Sequence, residues 1–370
     1  MHDILFRQCD KNDPYAFYRD MRRDRPVYYD PENDLWGIYT YKDCHAILTH
    51  SAASIPQSPS FLVGLSDEAG RMADHLARLS NVPLHEARRD ASLQLFRRWK
   101  AVDIGQLMQY LMGEPRLPAS LDWVQQICCR LPAFALLKGL GFSTAATESI
   151  VNALPDLVNI MHPVKSAGEA LAANRAVEAI SAHLHNYVVG IDSGAARSQA
   201  VMYSANLAGL VIQSFDAGRG LLGNALLWAI REQALYKAQD NTEAFVREVL
   251  RIDPPVQNTR RVLTDRIVLG DVVLERGAKV LIVLASANRD ARQFNGADVF
   301  DPLKHRDVQY FAFGSGIHQC MAEHFSIGVT AQALRYIYGH YTDVKLREND
   351  LVYEPRVNVR LAVRMVIEVQ

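Results

Sequence analysis

The chain has 370 residues, of which 49% are hydrophobic, and its formal net charge is -1. A near-neutral surface argues against a role in binding nucleic acid, and the absence of a linker-like stretch predicts one domain over residues 1–370. Five cysteines without a Cys-x-x-Cys pair support neither a disulfide framework nor a zinc ribbon. The N-terminus lacks an apolar run long enough for a signal peptide or membrane anchor, so we expect a cytoplasmic protein that does not bind membranes.

The first 80 residues predict two helices around a hairpin. Asp13-Pro14 is a helix start signal, and Asp30-Pro-Glu-Asn-Asp34 is typical of a turn between two strands. Pro56, Pro59 and Gly64 then break any helical period. The predicted segments are a helix over 13–24, strands over 27–29 and 35–39, a helix over 41–49 and an irregular stretch over 51–80.

The helix that opens at His85 places two carboxylate-binding side chains on one face. His85 and Arg89 are four residues apart, about one helical turn, and arginine can bind a carboxylate through two parallel hydrogen bonds. The alternative is an ordinary solvated helix face. On and just after this helix lies a basic cluster that is a candidate docking patch for an acidic protein, namely Arg88, Arg97, Arg98 and Lys100.

Residues 117–188 predict a succession of helices, and a very long apolar helix follows over about 198–237. In the succession, Pro155 interrupts a helix over 144–160, and a further helix covers 170–187. Gly218 and Gly220 are unusual inside the long helix, because each costs about 1 kcal/mol relative to alanine. We interpret the two glycines as the position of a kink in the long helix. We expect the side chain of Arg219 to point outward rather than toward an anionic substrate group, because arginine is usually exposed.

Two features follow the long helix. Glu248 and Arg251 are three residues apart, so their side chains lie on one side of a helix and can form an ion pair. Short alternating segments near the C-terminus, including 357–369, predict a terminal hairpin. Between these features, the pattern predicts strands over 259–263, 265–273 and 279–284.

The segment Phe313-Gly-Ser-Gly-Ile-His-Gln-Cys320 is the strongest functional signal in the chain. Gly314 and Gly316 can adopt backbone angles closed to other residues and let the main chain approach a flat ligand. We expect Cys320 in the first turn of a helix over 321–338, whose positive dipole end favours a thiolate over a thiol. Such a thiolate is a good axial ligand for haem iron. The alternative is a buried structural cysteine.

This segment closely resembles the cysteine loop of the cytochrome P-450 superfamily, whose pattern is Phe-Gly-x-Gly-x-His/Arg-x-Cys-x-Gly. One position departs from it, because Ala322 replaces the final glycine. The resemblance implies a mainly α fold with a smaller β region, a long central distal helix and a proximal cysteine loop. It implies haem b as the cofactor and Cys320 as the iron ligand. Phe313 and Gly314 would lie against the haem, and its carboxylates would bind His85, Arg89, Arg261 and His318.

The resemblance extends to the long helix. Matching Leu221-Leu-Gly-Asn-Ala225 to relatives places the family's acid and threonine over Asp216 and Ala217. The threonine hydroxyl that assists proton delivery to oxygen in the family is therefore missing, because alanine has no donor. Ser214, one turn earlier, is a candidate replacement, as are a substrate hydroxyl and an ordered water.

In the family, the Glu248–Arg251 pair belongs to a buried cluster beneath the haem. Its third member is usually an arginine in the segment before the cysteine loop. The match slips by one residue in this chain, so three neighbours are candidates for that role, namely Lys304, His305 and Arg306.

The resemblance implies a monooxygenase of secondary metabolism that oxidises a small natural product or biosynthetic intermediate with O2. Electrons would come from an acidic ferredoxin or flavodoxin, and the small-molecule substrate would be free or bound to a carrier protein. One alternative is other haem chemistry, such as peroxide-driven oxidation, desaturation, ring formation or rearrangement, which the missing threonine motivates. Another is a non-catalytic auxiliary partner of a second enzyme, although such relatives tend to lose the cysteine that is present here.

Overall fold

The computed structural model describes residues 3–57, 59–113, 119–191, 197–233, 236, 241–305, 308–347 and 351–370. The chain folds as two compact units. One unit contains Met1–Pro56, Ile104–Cys129 and Asp216–Gln370, and the other contains Gln57–Asp103 and Arg130–Phe215. A single domain over residues 1–370 stays a prediction.

Helices account for most of the described secondary structure. In chain order they are α1 (Pro14–Asp24), α2 (Tyr41–Thr49), α3 (Asp67–Asp74), α4 (Leu84–Phe96), α5 (Ile104–Met112), α6 (Leu131–Gly139), α7 (Thr144–Leu157), α8 (Ala167–Ile191), α9 (Arg197–Arg231), α10 (Thr242–Ile252), α11 (Leu284–Ala287) and α12 (Glu323–His340). The strands are β1 (Val27–Asp30), β2 (Leu35–Ile38), β3 (Ala53–Ser54), β4 (Ala119–Asp122), β5 (Thr259–Leu263), β6 (Ile267–Leu269), β7 (Val272–Leu274), β8 (Lys279–Ile282), β9 (Val344–Leu346) and β10 (Val366–Val369).

Side-chain caps explain where several helices begin. Asp13 accepts hydrogen bonds from the first free N–H groups of α1, Thr40 does the same for α2, Ser143 for α7 and Asn241 for α10. Such caps contribute about 1 kcal/mol each, because they satisfy donors that the helix leaves unpaired. The predicted helices over 13–24 and 41–49 are confirmed.

Five strands of the first unit form one sheet in the order β1-β2-β8-β5-β3. The predicted hairpin is formed by β1 and β2, with Val27 opposite Ile38, and β2 runs parallel to β8. Apolar side chains of this sheet make one buried cluster with Ile47 of α2 and Phe311, which lies two residues before the cysteine loop. The sheet and α2 therefore support that loop.

The second unit is helical, with α8 packed along α7 and α3. The expected irregular stretch over 51–80 is wrong in part, because it contains β3 and α3. Ser66 caps α3 by accepting the Ala69 N–H, a local start signal that overrides the preceding breakers. The segment before α3 is fixed to α8, since the Asn174 side chain donates to the Gly64 carbonyl at 3.0 Å and accepts the Ser66 N–H at 2.8 Å.

Three further predictions need correction. The helical stretch over 117–188 contains strand β4, and α7 continues through Pro155 as far as Leu157. The C-terminal strand β10 pairs with β4 and β9, rather than forming a hairpin within 357–369. This long-range pairing is not encoded in the local pattern. The end of the long helix predicted near 237 lies outside the described residues, whereas α9 ends at Arg231. Among the described residues, no helix has the length and apolar character needed to cross a bilayer.

Candidate functional site

The cysteine loop is a tight turn that rests on α2. Gly314 and Gly316 have φ values of 70° and 72°, which favour glycine. A Cβ atom added to Gly316 would lie 2.5 Å from the carbonyl oxygen of Leu48, so this glycine also permits the close approach of two backbones. The Cys320 N–H closes the loop by donating to the carbonyl oxygen of Phe313 at 2.9 Å. These constraints fix the position from which the cysteine emerges.

Cys320 is exposed, and its sulfur accepts a hydrogen bond from the Ala322 N–H at 3.4 Å. Helix α12 begins at Glu323, so the expectation that the cysteine lies in its first turn is wrong. The reason is that the Cys320 N–H closes the loop and the Ala322 backbone is not yet helical. The sulfur lies just before the helix, where an N–H donor and the positive dipole end both favour negative charge.

Glu248 and Arg251 form the ion pair that their spacing predicts. Their side chains are 3% and 1% exposed, and two hydrogen bonds join them, from Nε to Oε2 at 2.8 Å and from Nη2 to Oε1 at 2.7 Å. Glu248 also accepts the Asp301 N–H at 3.0 Å. Arg251 donates to three backbone carbonyls, those of Asn288, Ala297 and Val299. The pair therefore ties α10 to the chain that leads toward the cysteine loop.

His305, one of the three candidates for the third position, lies beside this ion pair. Its buried ring packs edge-on against Phe294, with 5.6 Å between centroids, and the Arg251 guanidinium lies 5.3 Å from the centroid of the same Phe294 ring. Burial, followed by the charge of Arg251, lowers the pKa of His305 below 6.5. Lys304 is exposed, and Arg306 lies outside the described residues.

Helix α9 carries a charged cluster that the sequence did not predict. Nη2 of Arg219 donates to Oδ1 of Asp216 at 3.0 Å, and Nη1 lies 2.8 Å from Oε1 of Glu354. The Arg219 side chain is only 10% exposed, so the expectation that it points outward is wrong. Two carboxylates compensate its charge in place of solvent. Glu354 is distant in sequence and lies in an irregular segment, so no local pattern indicates this contact.

The two positions beside Asp216 supply no free hydroxyl proton. Ala217 has no donor, and the Ser214 hydroxyl donates to the carbonyl oxygen of Val211 at 2.7 Å. The proton of Ser214 is therefore engaged within its own helix. Ser214 can still accept a hydrogen bond, but it does not reproduce the donor that a threonine at position 217 would provide.

Gly220 has a packing role, and the kink proposed for the two glycines stays a prediction. Helix α9 runs through both glycines without interruption. A Cβ atom added to Gly220 would lie 2.5 Å from Cβ of Pro255 and 2.7 Å from Cδ2 of Leu361. The glycine thus allows the C-terminal segment that carries Glu354 to pack directly against the helix.

The four predicted partners of the haem carboxylates occur in both units. In the second unit, His85 is buried in α4 with its Nδ1 atom 3.0 Å from the carbonyl oxygen of Ala77, and Arg89 is half-buried one turn later. In the first unit, Arg261 is buried on β5, and His318 belongs to the cysteine loop. Their role toward haem stays a prediction.

The residues of the cysteine loop fit an iron porphyrin. Among the described residues other than the two chain neighbours, a Cβ atom added to Gly314 would have one atom within 4 Å, the carbonyl oxygen of His318 at 4.0 Å, so the loop surface beside Phe313 is open to a flat ligand. One thiolate from Cys320 suits an iron that porphyrin nitrogens already coordinate. Guanidinium and imidazole groups suit the carboxylates of a porphyrin.

This chain is similar in sequence and in fold to known cytochrome P450 proteins. The cytochrome P450 family model matches residues 240–333. Cytochrome P450 119 of Sulfurisphaera tokodaii is 27% identical over 333 residues, which cover 83% of this chain and 86% of the relative. The crystal structure of CalO2 matches with a TM-score of 0.83 and 21% identity, covering 100% of this chain and 99% of that one. P450BioI, in complex with an acyl carrier protein that carries hexadec-9Z-enoic acid, matches with a TM-score of 0.82 and 19% identity, covering 96% and 98%.

The structural matches confirm the predicted fold class, which is mainly helical with small sheets and the long helix α9. The family model spans the ion pair of Glu248 and Arg251 as well as Cys320. Similarity to curated relatives covers most of the chain. The chain therefore belongs to the cytochrome P450 superfamily of monooxygenase-type oxidoreductases, whose cofactor is a haem-thiolate.

Proposed function

We propose that this protein hydroxylates, or oxidises in a similar way, a small natural product or biosynthetic intermediate. The observation that carries the proposal is the cysteine loop, in which the exposed sulfur of Cys320 accepts the Ala322 N–H and Gly314 leaves the adjoining surface open. Haem bound at this sulfur supplies the iron that activates O2. The protein supplies the ligand, the binding groups for haem and substrate, and the path for protons.

The residues assigned to haem b have three roles: one binds the iron, two contact the ring and four bind the carboxylates. Cys320 is the iron ligand, and Phe313 and Gly314 form the surface against the ring. The carboxylates would bind four cationic or hydrogen-bonding side chains, namely His85, Arg89, Arg261 and His318. Glu248 and Arg251 hold the segment that precedes the cysteine loop, which supports a structural role in keeping the sulfur in place.

Asp216 is the residue that we assign to proton transfer. Its side chain is 29% exposed and is held by one hydrogen bond from Arg219, so the carboxylate can bind a proton from solvent and rotate. Because Ala217 has no hydroxyl and Ser214 donates its own to Val211, the next donor in the path must be a substrate hydroxyl or an ordered water.

Electron transfer requires a partner, and three basic residues support an acidic ferredoxin or flavodoxin. Arg97, Arg98 and Lys100 are exposed at and beyond the end of α4. Arg88 does not belong to this patch, since its side chain is 11% exposed and its Nη2 atom lies 3.6 Å from Oδ2 of Asp74. Complementary charge of this kind increases the rate of association more than the affinity.

The substrate is proposed to be a small molecule, free or carrier-bound. The carrier-bound form is supported by P450BioI, which is similar in fold and whose structure contains an acyl carrier protein. Identity to that protein is 19%, so the similarity extends to fold alone. The chemical class of the substrate is accordingly stated only as a small natural product or biosynthetic intermediate.

Other haem chemistry is the second candidate function. Peroxide-driven oxidation, desaturation, ring formation and rearrangement place different demands on proton delivery. The observation that favours this group is that position 217 is alanine while the Ser214 hydroxyl is engaged with the helix backbone. A protein that needs the donor of a conventional monooxygenase would be expected to retain it at one of these two positions.

The absorption spectrum of the reduced, CO-treated protein tests the ligand assignment. We expect the strongly red-shifted Soret band of a thiolate–iron–CO complex, its loss in Cys320→Ala, and its retention in Cys9→Ala, which changes the other exposed cysteine. Persistence of the band in Cys320→Ala would show that the assigned ligand is wrong. A wild-type protein that binds no haem would favour the auxiliary-protein alternative.

A further inference from the structure

We infer that Arg219 and Glu354 are positioning residues that determine how firmly Asp216 is held, and therefore how readily it transfers protons. The inference rests on the proposed role of Asp216 and extends it to two residues outside the family's acid–threonine position. It is motivated by one guanidinium that lies between two carboxylates, one on its own helix and one on the C-terminal segment.

The carboxylates of Asp216 and Glu354 contact different nitrogen atoms of the Arg219 guanidinium. Nη2 of Arg219 donates to Asp216, and Nη1 lies within hydrogen-bonding distance of Glu354. Arginine commonly binds a carboxylate through two parallel hydrogen bonds, but here each carboxylate receives one. Within the part of the chain that the structure describes, Asp216 makes no other side-chain hydrogen bond. Asp216 is therefore retained near Arg219 by a single contact that rotation of its side chain can break.

Glu354 is held by its backbone and does not follow Asp216. Its N–H donates to the carbonyl oxygen of Leu361 at 2.9 Å, and the neighbouring Tyr353 bridges to Ala362. The absence of a side chain at Gly220 lets Leu361 approach α9 closely. Because Glu354 is fixed in this way, its carboxylate always competes with that of Asp216 for the Arg219 guanidinium.

Burial keeps the arginine in the cluster while Asp216 stays accessible. The exposed fractions of the side chains are 10% for Arg219, 20% for Glu354 and 29% for Asp216. Among the described residues, other titratable groups close to the cluster include Arg356, whose Nε atom is 3.5 Å from Oε2 of Glu354, and the thiols of Cys128 and Cys129 near Arg219. If the charge of Glu354 is removed, Arg219 keeps one strong anionic partner and can give Asp216 a second hydrogen bond. Asp216 would then be held more tightly.

The first test measures oxidation of the reduced holoprotein without a substrate or partner protein. Protein reduced by one electron equivalent is mixed with oxygenated buffer in H2O and in D2O, and the return of the oxidised absorption spectrum is timed. Bound haem would supply one electron to each O2 and the protein would supply one proton, so the products would be oxidised protein and HO2. The variants are Asp216→Asn, Glu354→Gln, Glu354→Asp and the double variant Asp216→Asn/Glu354→Gln. Glu368→Gln is the control, because Glu368 is an exposed carboxylate on β10.

We expect Asp216→Asn to slow reoxidation by about tenfold or more and Glu354→Gln by about two- to fivefold, since proton transfer from a positioned group commonly contributes 10²-fold or more. The solvent isotope effect should rise in Glu354→Gln and return toward the wild-type value in Glu354→Asp. The double variant should be no slower than Asp216→Asn, because Glu354 acts through Asp216.

The outcomes separate this inference from the proposed function. If Asp216→Asn is slow but Glu354→Gln matches the wild type, the positioning role is wrong and the role of Asp216 stands. A double variant slower than Asp216→Asn would likewise overturn the inference, since Glu354 would then act independently. If Asp216→Asn matches the wild type while the CO spectrum is normal, the assigned role of Asp216 fails and the inference fails with it.

A second test uses unfolding and does not depend on reactivity. If the carboxylates share one guanidinium, each single variant lets the remaining carboxylate take over, so urea unfolding should show that the double variant loses more stability than the two single variants together. Additive losses would mean that the guanidinium is not shared. Glu368→Gln again serves as the control.

Discussion

Replacing Arg251 with lysine keeps the charge and removes the planar fork, which makes the contribution of this fork measurable. Arg251 makes five hydrogen bonds while its side chain is 1% exposed. An ammonium group has three donors, so at least two buried bonds are lost. Hydrogen bonds to charged groups contribute about 1.5–3 kcal/mol each. We therefore expect Arg251→Lys to lower the free energy of unfolding by about 3–6 kcal/mol, a large share of the 5–15 kcal/mol typical of a folded protein.

Arg247→Lys is the matched control for this prediction. Arg247 lies one turn earlier on α10 and pairs with Glu323 at 3.1 Å, but the two side chains are 30% and 27% exposed. An exposed pair of this kind contributes about 1 kcal/mol or less. Urea unfolding followed by far-ultraviolet circular dichroism would compare the two variants with the wild type. If Arg251→Lys shifts the unfolding midpoint no more than Arg247→Lys, the buried fork does not stabilise the fold as argued here.

Gly316→Ala should destabilise the protein by about 1–3 kcal/mol in urea unfolding, because the added Cβ meets the Leu48 carbonyl at 2.5 Å and φ is 72°. Gly328→Ala, in α12, should be neutral or stabilising, because among the described residues no atom beyond the chain neighbours and the helix's own nearby backbone lies within 4 Å of the added carbon. His305→Gln should remove a pH dependence: because burial lowers the pKa of His305, the wild type loses stability as the pH falls through 6.5, and the glutamine variant should not. Ala217→Thr should increase the fraction of consumed electrons recovered in product, and loss of product would support the alternative haem chemistry.

Sequence reasoning worked where the chemistry is local. The glycine spacing around Cys320 predicts a loop with special backbone angles, and the structure gives Gly314 and Gly316 positive φ. The three-residue separation of Glu248 and Arg251 predicts an ion pair on one helix, and the pair forms. Both patterns work because helix periodicity and glycine geometry act over a few residues. The sequence places the start of α12 two residues too early, because the Cys320 N–H closes the loop and the Ala322 backbone is not yet helical.

Sequence reasoning failed where distant segments decide the outcome. Arg219 was expected in solvent because arginine is usually exposed, yet Glu354 and Asp216 compensate it at a site that Gly220 allows to close. Strand β4 escaped prediction because it is specified by pairing with β10 at the other end of the chain. In each case the deciding partner is more than a hundred residues away, so its contribution cannot be read from periodicity.

Arg251 and Arg219 illustrate how the number of hydrogen bonds distinguishes a fixed side chain from an adjustable one. Arg251 is bound by both oxygens of Glu248 and by three carbonyls, so any movement breaks several bonds at once. Arg219 has one short contact with each of two carboxylates, and one of these, Asp216, is the most exposed group of its cluster. Breaking the one hydrogen bond between Arg219 and Asp216 changes how firmly the carboxylate of Asp216 is held and leaves α9 intact. The rigid ion pair of Glu248 and Arg251 suits the segment that carries the iron ligand. A guanidinium shared between two carboxylates suits Asp216, which we propose accepts and releases protons.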